Sequence, residues 1–228
     1  MKDIIHLIPI AAAGVIAAAL IWERVVALFF KLSIDSKDFM GKIEGLLSKG
    51  NLQGALDLCA SNEHKPLPKV VKAGLMKAAR DEAEIKTALE VSILDSSGQI
   101  NQRIGYLAML ANVATLLGLL GTIAGLIASF KAVASADAAT KQSLLAEGIS
   151  ISMNATALGL LVAIPAMIAF SILNGRANKL MDELEKGAGR TLAMLHGRLY
   201  SDSEDDFSKL SFEEVPEEKK PTPIKGAA

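Results

Sequence analysis

The chain has 228 residues, of which 51% are hydrophobic, 4% aromatic and 21% charged, and its formal net charge is −1. A mean hydropathy of +0.35 excludes a disordered chain, which combines low hydrophobicity with high net charge. The near-zero net charge offers no broad basic surface, so we expect no nucleic-acid partner. The single cysteine, Cys59, excludes an intramolecular disulfide and a cysteine-built zinc site, and we expect no metal and no cofactor.

Three long spans contain no Asp, Glu, Lys or Arg: residues 4–22, 104–130 and 148–175. Each is long enough to cross a bilayer core, which needs about 20 mostly apolar helical residues. The core helices of soluble proteins usually keep a polar face. We therefore predict three transmembrane helices in contact with membrane lipid.

The first span could instead be a cleaved signal peptide. The apolar pattern resumes over residues 25–30, directly after Glu23 and Arg24, which favours an uncleaved helix. Basic residues near the span ends predict the orientation. Three of them lie on one side, Lys2, Lys131 and Lys141, and eight on the other, Arg24, Lys31, Lys37, Arg103, Arg176, Lys179, Lys186 and Arg190. The N-terminus is therefore expected outside.

The predicted segments follow from these spans: transmembrane helix 1 (1–30), a cytoplasmic helical domain (31–103), transmembrane helix 2 (104–130), a periplasmic loop (131–147), transmembrane helix 3 (148–175), a cytoplasmic helix (176–200) and a disordered acidic tail (201–228). Apolar spacing predicts helices over 36–48 and 52–60, and a third that starts near Lys69 and runs with few breaks into the second span, with Gly98 as its weak point. No strand-like alternation competes. The predicted fold is an all-α polytopic membrane protein with helices two and three extended into the cytoplasm.

The second span carries a stripe of small or hydroxyl residues at alternating steps of three and four: Ala108, Ala111, Thr115, Gly118, Thr122, Gly125 and Ser129. Gly121 and Gly125 add a pair of small residues on the neighbouring face. Small residues let helix backbones approach closely in lipid. We therefore predict helix packing through the glycines of this span.

The third span repeats the pattern with Gly148, Ser152, Thr156, Gly159, Ala163 and Ala166. Ser150 and Asn154 form a second polar pair, about 200° around the helix. A helix with polar groups on two faces cannot show both to lipid, which favours an oligomer around a central space. Gly159 is a further packing candidate, and Pro165 removes one backbone hydrogen bond and permits a bend.

The polar side chains of both stripes are candidates for a hydrated ion path: Thr115, Thr122, Ser150, Ser152, Asn154 and Thr156. The alternative is a non-conducting structural scaffold in which the stripes are packing seams only. Spans two and three contain no Asp, Glu, Lys, Arg or His, and a proton path usually needs a titratable group. Proton conduction would therefore require a carboxylate from another subunit. No nucleophile–base pair, metal cluster or phosphate-binding loop favours an enzyme.

Two motifs resemble the MotA/TolQ/ExbB proton-channel family. Residues 114–126, ATLLGLLGTIAGL, resemble its second-helix motif, and residues 154–166, NATALGLLVAIPA, resemble its third-helix motif. The tripeptide at 22–24 and the segment GNLQGALDLC at 50–59 also fit. The likeness covers roughly residues 15–200, and the size and three-span layout resemble the ExbB/TolQ branch.

The resemblance implies a homopentamer around a dimer of an ExbD/TolR-like partner, which has one membrane helix with an aspartate. It further implies a motor in the bacterial inner membrane, with a cytoplasmic C-terminus, that uses the ion-motive force to energise an envelope process. The family's two pathway threonines map onto Thr122 and Thr156. Ile151 stands where ExbB-like members often carry a glutamate. The coupling ion, proton or sodium, and the process energised stay open.

Overall fold

A computed structural model describes residues 2–209, with side chains from 8 to 197, and every element in this range is a helix. The all-α prediction is thus confirmed. The elements, in chain order, are α1 (Lys2–Val26), a π-helix (Ala27–Lys31), α2 (Ser36–Ser48), α3 (Leu52–Ala60), α4 (Pro66–Leu75), α5 (Glu82–Asn101), α6 (Ile104–Ala134) and α7 (Lys141–Lys209). The bounds of α2 and α3 match the predicted helices.

Three helical segments, centred on α1, α6 and α7, are long and apolar enough to cross a membrane, as predicted. Helices α6 and α7 pack together over most of the length of α6, and α1 lies against both. Ala17 of α1 is buried among four alanines of the other two helices, Ala111, Ala114, Ala163 and Ala166. Small side chains at this junction allow all three helices to approach closely.

Helices α2 to α5 form a small subdomain that packs on the part of α7 beyond its apolar span. Helix α2 is capped by Asp35, whose carboxylate accepts from the backbone N–H groups of Lys37 and Asp38 at 3.0 and 3.2 Å. Asn51 caps α3 by accepting from the Gly54 N–H at 2.8 Å. A single hydrophobic core joins the subdomain to α7 and includes Ile43, Ala55, Val70, Ile85, Leu180 and Leu184. The subdomain and the long helix are therefore one packed body.

The helix predicted to run with few breaks from Lys69 into the second span is interrupted twice. Helix α4 ends at Leu75, and α5 ends at Asn101. Gly98 lies inside α5, and the break falls at Arg103, whose φ of 60° is left-handed. A non-glycine residue in that conformation costs roughly 1–2 kcal/mol. The Arg103 side chain is held there by hydrogen bonds to both oxygens of the Glu23 carboxylate, at 2.7 and 2.9 Å.

Two predicted segment ends are also corrected. The loop expected over 131–147 is shorter, because α6 continues to Ala134 and α7 begins at Lys141. The prediction ended each helix at the first charged residue beyond its apolar span. Charged residues can lie on the surface of a helix outside the membrane, so both helices continue past these positions. Residues 201–209, expected to be disordered, continue α7, and residues 210–228 of that predicted tail lie outside the described residues.

We expect Cys59 to react far more slowly with maleimide in the native protein than after unfolding. The side chain is fully buried, and burial raises the pKa of its thiol to about 11, which Lys72 opposes only in part. The thiolate is the reactive form, so labelling at pH 8 should be about a hundredfold slower in the folded protein. Intact-mass time courses with and without denaturant measure this ratio. Equal rates in the two conditions would contradict a closed core around Cys59.

Candidate functional site in the membrane helices

Helices α6 and α7 approach most closely where glycines of the two helices face each other. A Cβ built on Gly118 would lie 3.2 Å from Ala155 O and from the Cα atoms of Gly159 and Thr156. A Cβ on Gly159 would lie 2.7 Å from Ala114 O. The neighbours at these positions are backbone atoms, which cannot move aside as a flexible side chain can. Position 159 therefore requires glycine in this packing, and a Cβ at Gly118 would push the two backbones apart by a few tenths of an ångström.

The contacts on either side of this point show that the two helices run antiparallel. Gly121 meets Ala155, Gly125 meets Ser152, and Gly148 meets Ser129. Positions on α7 thus decrease as positions on α6 increase. We call this line of contacts the α6–α7 seam.

The seam is rotated from the stripe that spacing alone predicts on α6. The buried residues of this helix are Ile104, Leu107, Ala111, Ala114, Gly118, Gly121 and Ser129. Thr115, predicted in the stripe, is exposed, and Thr122 is half-buried. The reason is steric, since the line of closest approach follows glycine and alanine and leaves the larger threonines on its edge.

Thr156 is the candidate whose hydroxyl bonds across the seam, donating to Gly118 O on α6 at 3.2 Å. The other hydroxyls along the seam and its edge bond to their own helix. Ser152 is 2% exposed and donates to Ile149 O at 2.9 Å. Thr122 donates to Leu119 O at 2.7 Å, and Thr115 to Ala111 O at 3.0 Å.

Thr122 and Thr156 lie at nearly the same level of the seam. Each directly follows a residue of the Gly121–Ala155 contact, and because the helices are antiparallel the two residues differ by about 3 Å along the axes. Both are half-buried. The structure therefore places two hydroxyl groups at one depth, in spans that hold no Asp, Glu, Lys, Arg or His.

Ser150 and Asn154 are exposed on α7. Ile151 is 40% exposed. Pro165 is also exposed, and α7 continues as a helix on both sides of it. Polar side chains at this depth need protein or water against them in a bilayer.

A cluster of charged residues at one end of the membrane helices was not predicted as a unit. Arg103 pairs with Glu23, and Arg24 Nη2 donates to Gln102 Oε1 at 3.4 Å. Arg176 Nη2 donates to Ser33 Oγ at 2.7 Å, and the guanidinium lies 5.4 Å from the centre of the Phe29 ring. In the sequence, this cluster is indicated only by the charged residue that lies directly beyond each apolar span. Within the described residues, no group of His, Cys, Asp or Glu is arranged to hold a metal.

Comparison with known proteins identifies the family. The chain is 28% identical over 182 residues to biopolymer transport protein exbB1 of Vibrio cholerae, covering 78% of each chain. It is 28% identical over 177 residues to an ExbB homologue of Methanothermobacter thermautotrophicus, covering 77% of this chain and 62% of that one. It is 33% identical over 122 residues to Tol-Pal system protein TolQ of Haemophilus influenzae, covering 52% and 53%.

The chain thus spans between about half and four fifths of the length of these relatives. Residues 62–186, more than half of the chain, match the profile of the MotA/TolQ/ExbB proton channel family. The matched region runs from the start of the α3–α4 connection through α6 and into α7, and so contains the parts of both helices that form the seam. The chain belongs to the MotA/TolQ/ExbB proton channel family and resembles its ExbB/TolQ branch.

Proposed function

We propose that this chain is the ion-conducting subunit of an inner-membrane motor. It would use the ion-motive force, together with an ExbD/TolR-like single-pass partner, to energise an envelope process. The observation that carries the proposal is the pair of half-buried hydroxyls, Thr122 and Thr156, at one level of the α6–α7 seam. Because the two spans hold no Asp, Glu, Lys, Arg or His, the proton-carrying carboxylate would come from an aspartate of the partner helix.

The hydrogen bonds of the two threonines favour this role. Each hydroxyl donates its proton to a backbone carbonyl, Thr122 to Leu119 O and Thr156 to Gly118 O. The lone pairs of both oxygens are therefore left to accept. Such an oxygen can accept a hydrogen bond from a protonated carboxyl group, or act as a ligand to sodium. Either interaction eases the passage of the carrier through a region of low dielectric.

Several exposed groups support an oligomer, which we propose is a pentamer around a partner dimer. Within the membrane helices, Ser150 and Asn154 are exposed in the single subunit. Outside the apolar spans, Met76, Val91 and Leu94 are 68%, 53% and 70% exposed. Polar groups facing lipid and apolar groups facing water are both unfavourable, and neighbouring copies of the chain would cover both.

The count of basic residues supports the proposed orientation, with the α2–α5 subdomain in the cytoplasm and residues 135–140 in the periplasm. The C-terminus would then be cytoplasmic. We propose no catalytic reaction for this chain.

A structural scaffold is the second candidate, and the Thr156–Gly118 hydrogen bond is the observation that favours it. In that case the hydroxyl serves helix packing alone. A scaffold would keep its activity when Thr122 and Thr156 are each replaced by alanine, whereas a conducting subunit would lose it.

The direct test is ion flux through the complex in proteoliposomes. The chain is co-purified with its single-pass partner, and native mass spectrometry counts the copies of each. Imposed proton and sodium gradients are applied separately, and we expect one of them to drive flux that is lost when the partner's membrane aspartate becomes asparagine. An assembled complex that passes neither ion would overturn the proposal.

A further inference from the structure

Arg24 is a buried cation with unused hydrogen-bond donors. Its side chain is 3% exposed, and its Nε and Nη1 atoms have no partner among the described residues. Its Nη2 atom makes one long hydrogen bond, 3.4 Å, to Gln102 Oε1. The adjacent carboxylate, Glu23, is held by Arg103 at 2.7 Å. The Arg24 charge is therefore left without an anion of its own.

A buried guanidinium in this condition is unfavourable. Burial removes the hydration of the charge, and only a paired anion or a full set of acceptors compensates for the loss. Within the described residues, Nε and Nη1 of Arg24 have no hydrogen-bond acceptor and no paired anion. A bound anion would supply what is missing.

A cavity of about 420 Å³ lies beside Arg24, a volume within the range of small-molecule sites. Gln102, the partner of Arg24 Nη2, also lines it, so the guanidinium end of Arg24 lies on the cavity side. Lys31, His64 and Gln99 add further polar side chains. Among the described residues that line the cavity, Glu23 is the only carboxylate, and Arg103 already neutralises it. The balance of charge in the cavity favours an anionic ligand.

The π-helix forms one wall of this cavity through Ala27, Phe30 and Lys31. Short π-helical turns occur mainly inside α-helices and often at functional sites. Here the turn follows α1 at the end of the first apolar span. Its unusual geometry places an exposed aromatic ring and an ammonium group beside the same cavity.

The cavity lies beside the ends of two apolar helical spans, where we expect the boundary of the membrane. Arg24 follows the apolar part of α1, and Gln102 precedes the apolar part of α6. Trp22 and Phe30 are each 74% exposed at this level. Exposed aromatic side chains, tryptophan above all, concentrate at the lipid headgroups. We propose that this boundary cavity binds the phosphate group of an anionic phospholipid, with Arg24 and Lys31 as its charged contacts.

Thermal unfolding of the purified, delipidated protein tests the proposal. We expect phosphatidylglycerol to raise the unfolding temperature of the wild type more than phosphatidylcholine does, because a ligand that binds only the folded state stabilises it. Arg24→Met should lose this difference and bind phosphatidylglycerol about tenfold more weakly in native mass spectrometry. Without lipid, the Arg24→Met protein should unfold at a temperature equal to or higher than that of the wild type. Methionine is apolar and of similar length, so the substitution removes an unpaired buried charge.

Two further variants separate binding from folding. Lys31 is exposed, so Lys31→Met leaves the core intact and should also weaken phosphatidylglycerol binding. Arg190→Met removes an exposed cation of α7 outside the cavity and should keep the full response. Stabilisation by inorganic phosphate alone, lost in Arg24→Met, would overturn the lipid as the ligand and assign the cavity to a soluble phosphate. The same lipid response in the wild type, Arg24→Met and Lys31→Met would overturn the site.

Discussion

Replacing Thr156 by valine is expected to abolish ion-driven function and to leave the complex assembled. Valine has nearly the shape of threonine, so the close packing of α7 on α6 is kept. The variant loses one hydroxyl, which donates to Gly118 O at 3.2 Å and whose lone pairs are left to accept from the carrier. Loss of an interhelical hydrogen bond in a membrane costs about 1 kcal/mol or less. Flux in proteoliposomes should therefore fall to background while native mass spectrometry shows unchanged subunit numbers.

Thr156→Ser is the matched control for this result. Serine keeps the hydroxyl and removes only a methyl group, so flux should be largely retained. Valine and serine variants with equal flux near the wild-type value would remove Thr156 from the path.

Gly159→Ala is expected to prevent correct packing of the membrane helices, although it adds a single methyl group. The new Cβ would lie 2.7 Å from Ala114 O and 3.0 Å from Gly118 Cα, and both are backbone atoms. Relief requires α6 and α7 to separate along the seam. Overpacking of this kind costs roughly 1–3 kcal/mol, and here the Thr156–Gly118 hydrogen bond is strained as well. We expect a lower unfolding temperature in detergent and loss of the assembled complex in native mass spectrometry.

Gly175→Ala provides a control on the same helix. A Cβ at Gly175 meets nothing within 4 Å in the subunit. Because alanine favours a helix over glycine by roughly 0.5–1 kcal/mol, this variant should be neutral or slightly more stable. A Gly159→Ala protein as stable and as fully assembled as Gly175→Ala would show that the seam is looser than the structure indicates.

The membrane helices could be predicted from the sequence because the charges are segregated along the chain. Residues 104–130 and 148–175 hold no charged side chain, and such spans have few alternatives to a membrane-spanning helix. The motif around Gly118 and Thr122 and the one around Thr156 and Gly159 likewise indicated the family, because both are local patterns of residue type.

The rotation of the seam could not be predicted in the same way. Small residues lie on two neighbouring faces of α6, one through Thr115 and Thr122 and the other through Ala114 and Gly121, and spacing does not choose between them. The choice depends on which line lets the partner helix come closest. That property belongs to the pair of helices, and the structure selects the glycine and alanine line.

The sequence by itself thus determined the all-α class, the three membrane helices and the residue types of the candidate path, since these follow from local composition and periodicity. The tertiary structure alone decided which hydroxyl crosses the seam, where the chain breaks at Arg103, and that Arg24 is buried beside a cavity with two guanidinium nitrogens unpaired among the described residues. These features depend on residues far apart in the chain, such as Glu23 and Arg103, that meet only when the helices pack. Local patterns carry no information on such contacts, because the free energy that selects them arises only in the assembled fold.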